Sequence, residues 1–124
     1  MNADLIVKPV RSSAILTNAY VTGTIIPAHL ANQLKLFITF TIGSLTNLKI
    51  KIEYSMDGAT PYQETFSNIT AGADALTLGE HVITASGAYV LDVPIMAPFI
   101  HVSVVGTGTV TNSLCAVQAL VGTI

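Results

Sequence analysis

Three histidines and one cysteine are the side chains best suited to catalysis or metal binding, and the sequence keeps them apart. His29, His81 and His101 lie on three separate segments, and none has a second histidine at a metal-site spacing. Cys115 lies in an alternating apolar segment, which predicts a buried side chain rather than an activated nucleophile. The sequence also lacks a Gly-x-Ser-x-Gly element. It therefore predicts no catalytic, metal-binding or cofactor-binding residue, and a protein that is not an enzyme.

Three carboxylates fall near one predicted hairpin, where two of them could resemble the acid pair of a glycosidase. They are Glu53, Asp57 and Glu64. Lys49 and Lys51 alternate with Glu53 along the same strand, so all three side chains point to one side of it. This alternation favours a simpler interpretation, a solvated charged stripe on an exposed sheet.

Two tyrosines are the candidates for ligand stacking. Sugar-binding β-sandwiches usually present a platform of exposed aromatic rings, but this chain has no Trp and only four Tyr and four Phe. Tyr62 and Tyr89 are the aromatic residues that the strand pattern leaves on the surface. A carbohydrate- or receptor-binding module therefore stays open as an alternative function.

The composition excludes several classes of protein. Of 124 residues, 51% are hydrophobic and 10% are charged, against about 25% charged in an ordinary soluble domain. Five scattered Lys and Arg residues cannot form a basic nucleic-acid surface, and no apolar run is long enough for a membrane helix. The amino terminus lacks a cationic flank and an apolar core, so we expect no signal peptide and synthesis in the cytoplasm. A β-rich chain with so little charge risks association through its sheet edges, so the composition favours a place in a larger assembly.

Hydrophobic alternation predicts the elements that position these residues. Apolar and other residues alternate with a period of two in residues 34–42 and 48–54, which predicts an antiparallel pair of strands. Asp57 and Gly58 predict a tight turn after the second strand. Residues 67–80 predict a long surface connection with one short strand. The chain as a whole predicts an all-β fold, a single antiparallel β-sandwich or jelly roll with seven or eight short strands. Residues 1–26 form either an extended N-terminal arm or the first strand pair, and residues 27–124 form the sandwich body.

Two segments carry a resemblance to a known family. Residues 48–64 resemble a strand–turn–strand unit of small β-sandwich virion proteins of tailed bacteriophages, and residues 97–111 resemble a strand and hairpin of the same proteins. The resemblance covers residues 34–121. The chain departs from the family pattern at Pro61, where an aromatic residue is expected, and at His101, where Arg is common.

The resemblance implies a structural role in the virion, with capsid decoration favoured and a tail or baseplate component as the alternative. A decoration protein binds the outer capsid surface as a homo-oligomer, with a trimer favoured, and its partner is the major capsid protein. On this hypothesis the contact residues come from the N-terminal segment and from the uncharged side of one strand. They are Leu5, Ile6, Val7, Ile15, Leu16 and Tyr20, with Phe37, Thr39 and Thr41.

Overall fold

The computed structural model describes residues 4–70 and 73–124, with only the backbone described for residues 66–70 and 73–77. These residues form strands and connecting turns, and they include no helix able to cross a membrane. The strands are β1 (Asp4–Ala14), β2 (Val21–Thr22), β3 (Ile26–Pro27), β4 (Gln33–Thr41), β5 (Leu45–Ser55), β6 (Tyr62–Gln63), β7 (Thr65–Thr70), β8 (Ala73–Leu78), β9 (His81–Ile83), β10 (Gly87–Asp92), β11 (Phe99–Gly108) and β12 (Leu114–Thr123).

The strands form two antiparallel sheets that pack as a sandwich. The first sheet has the order β1-β12-β4-β10, and the second has the order β2-β11-β5-β6. In the second sheet β3 also pairs with β11, and β9 also pairs with β5. β2 and β3 occupy one strand position beside β11, and β6 and β9 occupy one strand position beside β5. When the eight resulting positions are numbered along the chain, the first sheet has the order 1-8-3-6 and the second sheet has the order 2-7-4-5. This is a jelly-roll arrangement, which confirms the predicted fold class.

Alternation along β4 and β5 builds the core, as the sequence predicts. The inward residues of β4 are Leu34, Leu36, Ile38 and Phe40, each at most 2% exposed. Those of β5 include Leu48, Ile50 and Ile52, which face β11 residues such as Val102 and Val104. Because side chains point alternately to opposite faces of a strand, the residues between them are left on the outer faces of the sheets.

Residues 4–27 contribute strands to both sheets of the sandwich. β1 pairs with β12 from Asp4↔Thr123 to Ala14↔Cys115 and forms one edge of the first sheet. Val10 contributes to the core, and Arg11 Nε donates a hydrogen bond to the Cys115 carbonyl at 3.0 Å. β2 and β3 then pair with β11 in the second sheet. A boundary at residue 26 therefore falls inside a strand.

The connection predicted over residues 67–80 is instead a two-stranded hairpin. β7 and β8 pair antiparallel from Thr65↔Leu78 to Thr70↔Ala73. The hairpin is inserted between β6 and β9, which otherwise follow one another along β5. The Gly79 N–H donates to the Glu64 carbonyl at 2.8 Å and joins the two ends of the insertion.

Candidate interaction surface

The outer face of the first sheet is exposed and mostly apolar. Its strands align Val90, Phe37 and Gln118 in one row, and the next row runs from Val7 and Leu120 to the Lys35–Asp92 ion pair. Val7 is 62% exposed, Val90 59% and Phe37 43%. We call this surface the apolar face, and it consists of Val7, Pro9, Phe37, Thr39, Thr41, Ala88, Val90, Leu114, Ala116, Gln118 and Leu120. Contiguous exposed apolar surface of this kind is typical of interaction sites.

The apolar face has two shallow depressions, and Phe37 lines both of them. One is lined by Val7, Gln118 and Leu120. The other is lined by Pro9, Thr39 and Ala116 and is bordered by Arg11. Such depressions beside an aromatic ring can accept protruding side chains of a partner, which is how well-packed interfaces anchor.

The charges at the border of the apolar face already have partners within the chain. Lys35 Nζ lies 3.6 Å from Asp92 Oδ1 at one end of the sheet. The Arg11 guanidinium donates to the main-chain carbonyls of Cys115, Ala14 and Ile15. An incoming surface therefore meets little free charge, and association here depends on apolar contact more than on ion pairing.

The outer face of the second sheet is polar by contrast. Lys51 Nζ lies 3.6 Å from Glu53 Oε1 and 4.4 Å from the centre of the Tyr20 ring. The Tyr20 hydroxyl donates to Glu80 across the sheet, and burial together with this carboxylate raises the pKa of Tyr20. The charged stripe is thus half-buried beside Tyr20 rather than freely solvated, which corrects the expectation from sequence.

The histidines have separate partners. His101 Nε2 lies 2.8 Å from Ser55 Oγ, and both residues are buried. His81 Nε2 lies 3.2 Å from Glu64 Oε1 at the edge of the second sheet. His29 lines a cleft between β1 and the turn before β4. Among the residues whose side chains are described, no group of three His, Cys, Asp or Glu residues could hold a metal ion.

The Ser55–His101 pair has the donor–acceptor geometry of a nucleophile and its base, but solvent and substrate cannot reach it. Ser55 is 0% exposed and His101 is 6% exposed. Ser55 Oγ also accepts a hydrogen bond from the Gly58 N–H at 3.2 Å. Because no substrate atom can reach Ser55 Oγ in this arrangement, the pair fastens the turn after β5 to β11.

The three carboxylates do not form an acid pair, since each has a different partner. Glu53 pairs with Lys51, and Glu64 faces His81. Asp57 Oδ1 accepts hydrogen bonds from the main-chain N–H groups of Ala59 and Thr60, each at 2.8 Å. These two hydrogen bonds lower the pKa of the Asp57 carboxyl, and the bond from Thr60 has the larger effect.

The pKa of Tyr54 is raised to about 12 by burial of its hydroxyl and, to a smaller extent, by the nearby Glu64 carboxylate.

The two tyrosines proposed for stacking lie on different sheets. Tyr62 is 58% exposed on β6 and lies beside Met56, Asp57 and Thr60. Tyr89 is half-buried on β10, and its hydroxyl donates to the Ala85 carbonyl at 2.6 Å. Their positions in different sheets do not build a common aromatic platform.

The predicted contact residues divide among several places. Val7, Phe37, Thr39 and Thr41 come together on the apolar face. Ile6 is exposed at the sheet edge, Ile15 is exposed after β1, and Leu5 is half-buried near the start of β1. Tyr20 lies on the opposite, polar face.

Leu16, one of the predicted contact residues, lies in the core. It is 1% exposed in the core, and its main-chain N–H donates to Ser113 Oγ at 3.1 Å. The chain turns inward after β1, so the exposed and buried positions no longer follow the strand alternation. Sequence reasoning also missed Val90, Leu114 and Leu120, although alternation along β10 and β12 was a signal that could have found them.

Comparison with known proteins supports the fold. The structure is similar to the crystal structure of the SPBc2 prophage-derived protein YomS, with a TM-score of 0.56. The two chains are 15% identical, and the similarity covers 98% of this chain and 95% of YomS. This chain and YomS share a fold. No family model and no curated protein sequence matches this chain.

Proposed function

We propose that this chain is a non-enzymatic structural protein of a phage virion, and that it decorates the capsid. The apolar face carries the proposal, because exposed apolar surface of this kind is suited to docking against another protein. The resemblance of residues 48–64 and 97–111 to small virion proteins supports a phage origin. The fold shared with a prophage-derived protein supports it independently.

This proposed function requires binding to the capsid and no catalysis. The apolar face buries Phe37, Val7 and their neighbours against the major capsid protein on the outer surface of the shell. Burial releases roughly 25 cal/mol for each Å² of apolar surface removed from water. Repeated over many copies, contacts that bridge neighbouring capsomers stabilise the shell against internal pressure. The chain acts as a homo-oligomer in this role. The resemblance implies a trimer, whereas the unprotected β10 edge of the first sheet favours a twofold dimer.

Capsid attachment tests the proposal. Shells of the encoding phage, prepared without this protein, are incubated with the purified chain and separated by sedimentation. We expect wild-type chain to co-sediment with the shells, and Phe37→Asp to bind at least about tenfold more weakly, because a carboxylate would be buried at the contact. Val82→Asp is the matched control, since Val82 is 52% exposed on β9 in the other sheet.

Two outcomes would contradict capsid decoration. One is a wild-type chain that stays in the supernatant at all concentrations, and the other is equal binding by the Phe37 and Val82 variants. Antibody labelling of intact virions then distinguishes head from tail, and label confined to the tail would favour the tail or baseplate alternative. The separation of Tyr62 from Tyr89 leaves no observation that favours a carbohydrate-binding module.

A further inference from the structure

The four sheet edges differ in how well they are protected against pairing with another chain. The β1 edge contains Pro9 and two register shifts. The edge beside β11 consists of two-residue strands, and the edge beside β5 is interrupted by the inserted hairpin. The β10 edge has none of these protective features. It pairs with β4 in unbroken register from Gly87↔Phe40 to Asp92↔Lys35, and it contains no proline. Edges without protection are those on which another strand can pair.

The hydrogen-bond pattern shows which groups of β10 point outward. The Val93 N–H donates to the Leu34 carbonyl at 3.0 Å, so Val93↔Leu34 is a hydrogen-bonded pair. Because such pairs alternate along an antiparallel ladder, Leu91, Tyr89 and Gly87 also bond to β4. The main-chain groups of Ala88, Val90 and Asp92 therefore point away from β4. In the part of the chain that the structure describes, β10 has β4 as its single strand partner.

We propose that a second copy of this chain pairs with the β10 edge. The two β10 strands run antiparallel about a twofold axis, with Val90 opposite Val90 and Ala88 opposite Asp92 of the other copy. This register uses the outward groups of all three residues in both copies and forms roughly six main-chain hydrogen bonds. The two four-stranded sheets then become one continuous sheet.

A second copy fits this edge because the edge is complementary to itself. In the proposed register each Asp92 faces an uncharged Ala88, and the two Asp92 carboxylates lie at opposite ends of the contact. Asp92 also keeps Lys35 beside it within its own subunit. The two Val90 side chains, each 59% exposed in the single chain, meet on the same side as Phe37. The apolar face therefore continues from one subunit into the next.

The solution mass of the isolated chain tests this contact without any capsid. Light scattering over a dilution series should give twice 13.0 kDa at high concentration and a mass that approaches 13.0 kDa on dilution. Val90→Lys places two ammonium groups opposite each other and should weaken the dimer by roughly tenfold or more. Val82→Lys is the matched control, because it adds the same charge at a similarly exposed valine on the other sheet. Circular dichroism checks that both variants are folded.

The register has a test of its own. Ala88→Lys places a cation opposite Asp92 of the other copy and should tighten the dimer, whereas other registers leave its affinity unchanged. Hydrogen exchange gives a direct readout, since the amides of Ala88, Val90 and Asp92 should exchange more slowly in the dimer than in the diluted monomer. A monomer at every concentration, a trimer of three times 13.0 kDa, or equal masses for the two lysine variants would overturn the proposal. Because no capsid is present, failure here leaves the capsid-attachment result unaffected.

Discussion

At the scale of single residues, the turn between β5 and β6 shows how polar groups specify local structure. Ser55 Oγ lies between His101 Nε2 and the Gly58 N–H, while Asp57 accepts hydrogen bonds from the two N–H groups that follow. Gly58 has φ +80°, a left-handed conformation that glycine adopts without steric cost. Side-chain hydrogen bonds therefore stabilise the turn, and glycine at position 58 allows its backbone conformation.

Ser55→Ala should lower the free energy of unfolding by about 1–3 kcal/mol, because it leaves buried His101 Nε2 without its partner. Urea denaturation followed by circular dichroism measures the change. Ser12→Ala, at an exposed position of β1, should change stability by less than about 0.5 kcal/mol. Equal effects of the two substitutions would show that the Ser55–His101 bond contributes nothing measurable.

Asp57 should make stability depend on acid pH. Its folded-state pKa lies below the ordinary value of 3.8, so its stabilising contribution is present above that value and is lost as the pH falls through the folded-state pKa. At neutral pH, Asp57→Asn should therefore melt at a lower temperature than wild type, and the difference should shrink as the pH is lowered below 3.8. Asp4→Asn, which removes an exposed carboxylate at the start of β1, controls for the change in net charge. A difference that stays constant with pH would contradict this assignment.

At the scale of elements, one strand carries two functions on its two sides. β4 directs Ile38 into the core and Phe37 to the apolar face, although the residues are adjacent in sequence. Strand alternation makes this separation automatic, so changes to stability and changes to binding can be made independently.

Ile38→Ala should therefore lower the free energy of unfolding by about 2–5 kcal/mol, because it leaves a cavity in a packed core. Phe37→Ala should change it by less than about 1 kcal/mol, while it weakens attachment to capsids. Urea denaturation and capsid sedimentation, run on both variants, separate the two effects. If Phe37→Ala destabilised the fold as much as Ile38→Ala, the outer side of β4 would be part of the core and not a docking surface.

At the scale of the whole molecule, the two outer faces of the sandwich are chemically different. Lys51, Glu53 and Glu80 make the outer face of the second sheet polar, while the first sheet presents the apolar face with the Lys35–Asp92 ion pair at one end. This division orients the proposed attachment, with the apolar face toward the shell and the polar face toward solvent.

The attachment should consequently resist salt. We expect the fraction of chain bound to capsids to change little between about 0.05 and 0.5 M NaCl, because screening weakens exposed ion pairs and leaves apolar burial intact. Co-sedimentation at each salt concentration measures it, and the Val82→Asp variant should behave in the same way. A steep loss of binding with salt would indicate that the polar face makes the contact instead.

Alternation in residues 34–42 and 48–54 was enough to predict a β-sandwich, because it leaves one side of each strand to be buried. It also determined that Phe37, Thr39 and Thr41 share a side of β4. Local patterns contain no information on which strands become neighbours. The folded arrangement of the strands placed Val7, Val90 and Leu120 around Phe37, buried Leu16 and separated Tyr62 from Tyr89. Those placements depend on pairings between distant segments, such as β1 with β12, which the topology of the whole chain decides.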